Sequence, residues 1–452
     1  MKKILIANRG EIACRIGRAA HGLGLKTVAV HSDADTDSLH VAEADEAVHI
    51  GPAPAAQSYL RADAILEAAA ATGADAIHPG YGFLAESAAF AKRVGDAGLI
   101  WIGPSPKSID DMGDKERARA LARAAGVPVL PGSDRFGPDD AGKLEDAAAA
   151  VGYPLLVKAS AGGGGIGMRR VDGPDKLAKT VESTQEMAAR SFGDGAVYLE
   201  RFVPRARHVE IQVFGLGDGR AFHLFERDCS TQRRFQKVIE ESPAPGLAPE
   251  ITARMAECAR ALAAAERYSG AGTVEFIVDA DSGEFYFLEM NTRIQVEHPV
   301  TEMICGVDLV GMQIRHAAGE DLEAELSAVT RRGVAVECRL YAENPKKMFL
   351  PAPGALDVFE TPADMEGVRI DTGVRQGAAI TPYYDPMIAK ISAWGEDRAA
   401  ALDRAAAALR ATRIEGLVTN RDFLIAVLDD GEFRRGEVWT GYVDARRKDL
   451  TA

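Results

Sequence analysis

Two glutamates, Glu275 and Glu289, have the setting to grip a cation. Residues 273–278 (TVEFIV) and 284–290 (EFYFLEM) both read as strands, and the intervening 279–283 (DADSG) ends in a glycine suited to the left-handed position of a tight hairpin. A three-residue loop centred on Ser282 sets Glu275 directly opposite Glu289. Facing residues of an antiparallel pair have Cβ atoms about 4.5–5.5 Å apart, and like charges there repel. A hard dication relieves the repulsion, since Mg²⁺ is commonly held by one or two carboxylates together with substrate phosphates. Asn291 lies on the same strand face as Glu289 and adds a further oxygen. The spacing alone is equally compatible with a solvated hairpin face.

Arg293, Gln295 and Glu297 continue the polar series, alternating with Ile294 and Val296. Fully extended, the eight steps from Glu289 to Glu297 would cover about 26 Å at ~3.3 Å each, too far for one small ligand, so the chain is expected to turn after Asn291. A guanidinium, an amide and a carboxylate then share one pocket, and the guanidinium fork suits a small planar carboxylate-like anion. The alternative is an ordinary polar strand edge.

A second kind of chemistry sits upstream. Residues 155–158 (LLVK) form a strand leading into 159–168 (ASAGGGGIGM). Glycines such as Gly164 and Gly165 let backbone N–H groups approach phosphate oxygens while Lys158 supplies charge. The Walker pattern GxxxxGK[ST] is absent, and a surface linker would lack the apolar flanks. Lys115 opens a helix after 112–114 (MGD), and Lys237 closes 233–237 (RRFQK), a cluster of three cations in an otherwise acidic chain. Singly, each lysine reads as a solvated surface charge; with Arg227 they form the local positive field a triphosphate requires. His208 reads as a packed histidine or a phosphate donor. Cys229, with no base beside it in sequence, reads as a small filler.

The elements that must carry these residues follow from pattern. Residues 3–7 (KILIA), 26–31 (KTVAVH), 47–50, 76–78 and 100–103 are strand-like, with helical spacing between them, which predicts an N-terminal doubly wound parallel sheet in an α/β protein. The first turn lacks GxGxxG, which speaks against a nicotinamide oxidoreductase. The Gly- and Pro-rich stretch 126–138 marks a boundary or hinge, and the motif-dense region to about residue 330 is the catalytic body. A strand-like segment, 333–340 (GVAVECRL), opens a mixed α/β third domain. The 452 residues accommodate about three domains of ~150 residues. A net charge of −14 argues against a general nucleic-acid binder. The five scattered cysteines, with no CxxC, indicate neither a disulfide framework nor a zinc site. The short apolar start, broken at Asn8-Arg9, and the lack of a long apolar run lead to the expectation of a soluble cytoplasmic protein.

Taken together, these residues resemble the biotin carboxylase family of ATP-grasp enzymes over nearly the whole chain. The matching stretches are 6–12 (IANRGEI), 78–84 (HPGYGFL), 112–115 (MGDK), 226–230 (ERDCS), 289–302 (EMNTRIQVEHPVTE), 336–339 (VECR) and 383–387 (YYDPM). The resemblance implies an N-terminal domain over 1–114, a central ATP-grasp domain over 115–330 with a mobile lid at about 132–203, and a C-terminal domain over 331–447. It implies ATP binding by Lys115, Lys158, Gly164, Gly165 and His208, with Glu200, Arg201, Phe202 and Val203 as the adenine-side hinge. Glu275, Glu289 and Asn291 would bind Mg²⁺ or Mn²⁺. Lys237, Arg293, Gln295 and Val296 would hold bicarbonate, Glu297 would be the base, and Arg339 would stabilise the biotin enolate. Implied partners are a biotin carboxyl carrier protein and the carboxyltransferase of an acetyl-CoA or other acyl-CoA carboxylase, with a homodimer as the family expectation. No Met-Lys-Met biotinylation tripeptide occurs in the chain, so those functions are expected on other chains.

Two departures bear on nucleotide binding: Ile166 stands where the family usually has Arg or Lys, and Phe235 where it usually has His. They motivate one alternative, a catalytically impaired nucleotide-binding regulatory protein. Another is an ATP-grasp carboxylate–amine ligase, which shares the glutamate pair and glycine loop but does not require Arg293, Gln295, Glu297 and Arg339 together.

Overall fold

The computed structural model describes residues 1–137, 140, 143–160 and 167–451. They form two compact units, one of Met1–Val127, Arg207–Phe276 and Glu289–Ala452, the other of Pro128–Ala206 and Ile277–Leu288.

The chain opens with five parallel strands, β1 (Lys3–Ile6), β2 (Lys26–Ser32), β3 (Glu46–Gly51), β4 (Ala76–His78) and β5 (Ile100–Trp101), in the order β3-β2-β1-β4-β5. This is the doubly wound parallel sheet expected from the alternating pattern. β1 reads as a continuous apolar run because Ile4, Leu5 and Ile6 are buried whichever face they point to, as a covered parallel strand requires. The helix Gly10–Gly22 buries Ile12, Ala13, Ile16, Ala19 and Ala20, the set that recurs at helical spacing.

In the second unit, β6 (Leu155–Ala159), β7 (Met168–Val171) and β8 (Val197–Arg201) form an antiparallel sheet in the order β7-β6-β8. The helices Leu144–Val151 and Leu177–Phe192 belong to the same unit, whose core unites Leu144, Val151, Leu155, Val157, Leu177, Val197 and Leu199. Opposite residues Lys158↔Tyr198 and Leu156↔Glu200 fix which side chains meet across β6 and β8.

The largest sheet has eight strands: β9 (Ala206–Leu216), β10 (Ala221–Arg233), β11 (Gln236–Ser242), β12 (Ser269–Asp279), β13 (Phe285–Asn291), β14 (Val334–Tyr341), β15 (Val368–Thr372) and β16 (Met387–Gly395). Their order is β13-β12-β9-β10-β11-β14-β16-β15. Strands from the region read as a third domain thus continue the same sheet that carries the acidic motifs. The turn between β10 and β11 consists of Arg234 and Phe235, both with positive φ (51° and 64°). That is the conformation a two-residue turn needs to match strand twist. On one face, Ile239, Cys338 and Ile391 join the core beneath the helix Arg398–Ala411. On the other face the same strands present charged groups. Among the described residues no helix is long and apolar enough to cross a membrane.

Candidate active site

The β12–β13 hairpin differs from its sequence expectation at the turn. Asp279 N donates to Glu284 O and Gly283 N to Asp279 O, both at 2.8 Å, which closes a four-residue loop, 280–283, with Gly283 left-handed at φ 72°. The three-residue loop centred on Ser282 does not form, and the pairing at the turn is displaced by one residue. The inserted residue relaxes the turn, so direct opposition of Glu275 and Glu289 does not follow from loop geometry. The two acids still sense each other. Burial and then the Glu275 charge push the Glu289 carboxyl up, and because Glu289 keeps solvent contact, the like charge is the cause most consistent with its position.

Glu275 is the acceptor at the centre of a ring of donors. Its Oε1 accepts from Lys237 Nζ (2.8 Å), Asn291 Nδ2 (2.9 Å) and Gln295 Nε2 (3.0 Å), and its Oε2 lies 2.8 Å from His208 Nε2. Burial would raise this carboxyl, but Lys237 and His208 outweigh it and hold the group well below the usual range. His208 shifts upward in return: burial works against its charge and Glu275 restores it.

Lys237 is shared among three buried acids, at 2.7 Å from Glu210, 2.8 Å from Glu275 and 2.6 Å from Glu297. Glu297 receives Lys237 on Oε1 and Arg339 Nη2 on Oε2 at 3.0 Å, and the Cys229 thiol donates to Oε1 at 3.8 Å. Burial raises the Glu297 carboxyl; Lys237, Arg339 and Arg227 overcome that and keep it well below the ordinary value, hence ionised at neutral pH. An ionised carboxylate held by two cations can accept a proton from a ligand that enters between them.

The chain does turn after Asn291: β13 ends there, and the helix His298–Cys305 begins directly after Glu297. Within the turn, Arg293 donates from Nη1 to Gln295 Oε1 (2.8 Å), from Nη2 to Asn291 Oδ1 (3.0 Å) and from Nε to Glu86 Oε2 (2.9 Å). The turn therefore brings the Arg293 guanidinium against Gln295 and Asn291, and Val296 is fixed from behind. Its carbonyl accepts from Lys390 Nζ at 2.7 Å, a fully buried ammonium 3.2 Å from Glu11 Oε2.

The oxygens of Glu275, Glu289 and Asn291 are the hard donors Mg²⁺ prefers. Other acid clusters, His208–Glu210–Glu275 and Glu210–Cys229–Glu297, bring their ligand atoms within 4.8 Å of one another. Lys237, Arg227, His208 and Arg339 supply counter-charge to these clusters, and Glu289 is a further carboxylate within the field of Glu275.

Arg227 contributes its positive charge from the interior: it is fully buried, donating to Glu210 (2.5 Å), Gln212 (2.7 Å), Thr301 (2.9 Å) and Thr273 (3.0 Å), and it helps hold the Glu297 carboxyl low. In the 233–237 cluster, Arg233 is buried against Glu343 and Arg234 is exposed, so Lys237 alone of that cluster enters the acid site. Lys115, exposed at the start of the helix Lys115–Ala124, contributes a positive field at Glu289.

The second unit carries the other nucleotide candidates. Lys158 Nζ lies 2.5 Å from Glu200 Oε2 and stands 5.7 Å from the centre of the Tyr198 ring. Val203 is buried, Arg201 exposed and Phe202 half-buried beneath Arg170. Gly164, Gly165 and Ile166 lie outside the described residues.

Sequence reasoning missed Glu210, Gln212, Glu86 and Lys390. The first two had a signal: His208, Glu210 and Gln212 recur at every second position of an otherwise apolar strand. Lys390 is likewise a lone charge inside the apolar β16.

A parallel α/β domain followed by a glycine-loop unit and an antiparallel sheet bearing magnesium-type acids defines an ATP-grasp ligase. Family models agree: "Biotin carboxylase, N-terminal domain" matches residues 1–109, "Carbamoyl-phosphate synthase L chain, ATP binding domain" 114–325, and "Biotin carboxylase C-terminal domain" 337–445. The chain is 49% identical over 452 residues to a pyruvate carboxylase subunit of Methanothermobacter thermautotrophicus, covering all of this chain and 91% of that one. It is 51% identical to the alpha subunit of the mitochondrial methylcrotonoyl-CoA carboxylase of Glycine max, of which it spans 61%. The crystal structure of the biotin carboxylase domain dimer of Hydrogenobacter thermophilus 2-oxoglutarate carboxylase, in complex with MgADP, ADP and bicarbonate, superposes with a TM-score of 0.92 at 43% identity, covering 100% of this chain and 98% of that one. The chain belongs to the biotin carboxylase family of ATP-dependent ligases.

Proposed function

We propose that this chain carboxylates biotin borne on a carrier protein, using MgATP and bicarbonate through a carboxyphosphate intermediate. The observation that carries the reading is the Glu297 carboxylate held ionised between Lys237 and Arg339, beside the Arg293–Gln295 turn. Bicarbonate enters the turn against Arg293, Gln295 and the Val296 backbone, and Glu297 takes its proton as its oxygen attacks the γ-phosphorus of ATP. Lys237 compensates the charge that moves onto the reacting oxygens. Carboxyphosphate then yields CO₂ and phosphate; phosphate deprotonates the ureido nitrogen of biotin, and Arg339 stabilises the anion that captures CO₂. Held by Glu275, Glu289 and Asn291, Mg²⁺ or Mn²⁺ supplies charge neutralisation at the triphosphate end.

The remaining roles are proposed on the same footing. Lys115, Lys158, Gly164, Gly165, His208 and the 200–203 segment bind ATP, and about 132–203 acts as a lid that keeps water from the labile intermediate. The domains run over 1–114, 115–330 and 331–447. The partners are a biotin carboxyl carrier protein, a carboxyltransferase and a second copy of this chain. The names of the relatives, methylcrotonoyl-CoA, pyruvate and 2-oxoglutarate carboxylases, support a biotin-dependent carboxylase. They give no support to the acetyl-CoA and fatty-acid assignment over the others, and the transferase selects the acceptor. All five cysteines are unpaired, which supports a reducing compartment such as the cytoplasm.

The test is ATP cleavage by the purified chain. Turnover that depends on bicarbonate and rises with free biotin is expected. Stimulation by an amine would favour a carboxylate–amine ligase, and nucleotide binding without phosphate release would favour a regulatory protein.

A further inference from the structure

Behind Arg339, two buried acids face each other across neighbouring strands. Glu240 on β11 is the direct partner of Glu337 on β14, and both are fully buried. Arg339 follows Glu337 on the same face; on β16, Lys390 and Ser392 lie opposite Arg339 and Glu337. Glu240 Oε1 ion-pairs with Arg339 Nη2, yet neither oxygen of Glu240 has an aligned hydrogen-bond partner among the described residues. Glu337 accepts from Ser392 on Oε2 at 2.8 Å and has no partner on Oε1. Two opposed, buried carboxylates with three such oxygens are costly if both are ionised, and one proton between them removes both the repulsion and part of the unmet hydrogen bonding.

We propose that Glu240 and Glu337 share one proton and act as a positioning pair for Arg339, releasing its guanidinium towards the substrate anion while protonated and drawing it back towards Glu240 once the proton is lost. The inference rests on the reading of Arg339 as the group that meets the biotin anion. The other groups facing the pair are Cys229 from β10, Lys237 from β11, Tyr341 from β14, Glu297 just before the helix His298–Cys305, and Lys390 from β16. Burial, followed for Glu240 by the pull of Arg339 and repulsion from Glu297, moves that carboxyl up to about 7. Burial, the pull of Lys390 and repulsion from Glu240 move Glu337 up to about 8. His298 is pushed well down by burial and by Lys390, Arg15 and Arg369, so it stays neutral and does not supply the shared proton.

Infrared difference spectra of the wild-type chain, taken from about pH 5 to 9, test the pair directly. A carboxylic-acid carbonyl band that persists through neutrality, survives in Glu343→Gln and is diminished in Glu240→Gln or Glu337→Gln is expected; its absence from the wild type above about pH 5 would overturn the proposal. Activity gives a second readout. In Glu240→Gln, the alkaline limb of biotin-stimulated turnover is expected to move up by about one pH unit, roughly a tenfold gain in rate on that limb. The biotin-independent, bicarbonate-dependent cleavage of ATP is expected to keep its profile. Equal movement of both profiles, or of neither, would reject the positioning role. Failure of the underlying reading would appear differently, as no bicarbonate-dependent ATP cleavage in the wild type.

Discussion

The ammonium of Lys237 lies 2.6 Å from Glu297 Oε1, while the other oxygen of that carboxylate lies 3.0 Å from Arg339 Nη2. One carboxylate, the proposed base, is thus pinned between two cations from different strands, β11 and β14. Replacing Glu297 with Gln keeps the shape and removes the proton acceptor. Glu297→Gln is expected to lower bicarbonate-dependent ATP cleavage by about 10²–10⁴-fold, the usual worth of a positioned base. Affinity for ATP, measured by calorimetry on the same preparation, should stay close to wild type. Unchanged turnover would remove Glu297 from the role of base.

Arg227 makes a different claim, about stability. Its guanidinium and the Glu210 carboxylate are both fully buried and 2.5 Å apart. Removing Arg227 leaves Glu210 with Lys237 as its remaining cation and strips the buried Gln212, Thr301 and Thr273 oxygens of their donor, at a cost of up to about 3–5 kcal/mol. Arg227→Ala should therefore lower the denaturant midpoint strongly, and Arg227→Met combined with Glu210→Gln should recover part of the loss. A single Arg227→Ala variant as stable as wild type would contradict the burial argument.

What the sequence made legible was local. The hydrophobic period of Lys3–Ile6 and Gly10–Gly22 anticipated the parallel sheet, and alternation at Arg293, Gln295 and Glu297 anticipated the turn that brings Arg293 against Gln295. What escaped it depended on pairing between distant strands. Glu210, Lys390, Glu240 and Glu337 enter the site region because β9, β11, β14 and β16 lie in one sheet, and strand order is not written in any one segment. The burial of Arg227 was not legible for the same reason: its partners Glu210, Gln212, Thr273 and Thr301 come from other segments. The hairpin loop differs from its sequence expectation by one residue, which no local pattern distinguishes.

Lys390 reaches the pocket through the backbone, since its ammonium holds the Val296 carbonyl at 2.7 Å. Lys390→Met removes that donor while keeping much of the volume. If the loop orients bicarbonate as proposed, it should loosen, so KM for bicarbonate is expected to rise by about tenfold, the equivalent of one hydrogen bond to a charged group. KM for ATP should move far less. A fall in kcat with both KM values unchanged would point instead to a role in the chemical step.

The β10–β11 turn holds Arg234 and Phe235 in the left-handed region, where residues with a side chain cost roughly 1–2 kcal/mol each. Phe235 is also 70% exposed, so its ring contributes little packing to offset that strain. Asn-Gly is the pair this turn type prefers. The double change Arg234→Asn and Phe235→Gly should raise stability by about 1 kcal/mol, after the added freedom of glycine in the unfolded chain is subtracted. Thermal melting measures this directly, and a lower midpoint would show that the exposed ring or the Arg234 guanidinium makes a stabilising contact.

The acids that face one another also set how stability responds to pH. Glu240, Glu337 and Glu343 are raised to about 7, 8 and 7, in each case first by burial. An acid whose folded value is raised binds its proton more tightly in the folded state, so its contribution is fully present below the unfolded value, near 4.3, and is lost as pH rises through 7 to 8. Glu275 and Glu297 have the opposite sign: held well below the ordinary range by Lys237 among others, they contribute stability above the unfolded value that is lost on acidification. Above about pH 6.5 the second pair is fully ionised and the histidines that burial holds low, His40, His78 and His298, are neutral in both states, so between about pH 6.5 and 8 the raised acids shape the slope. The melting midpoint is therefore expected to fall across that window, and the fall should flatten in Glu343→Gln, whose carboxyl pairs with Arg233 away from Glu297. A midpoint that climbs steadily from about pH 6.5 to 8 would mean that these three carboxyls ionise freely in the folded protein.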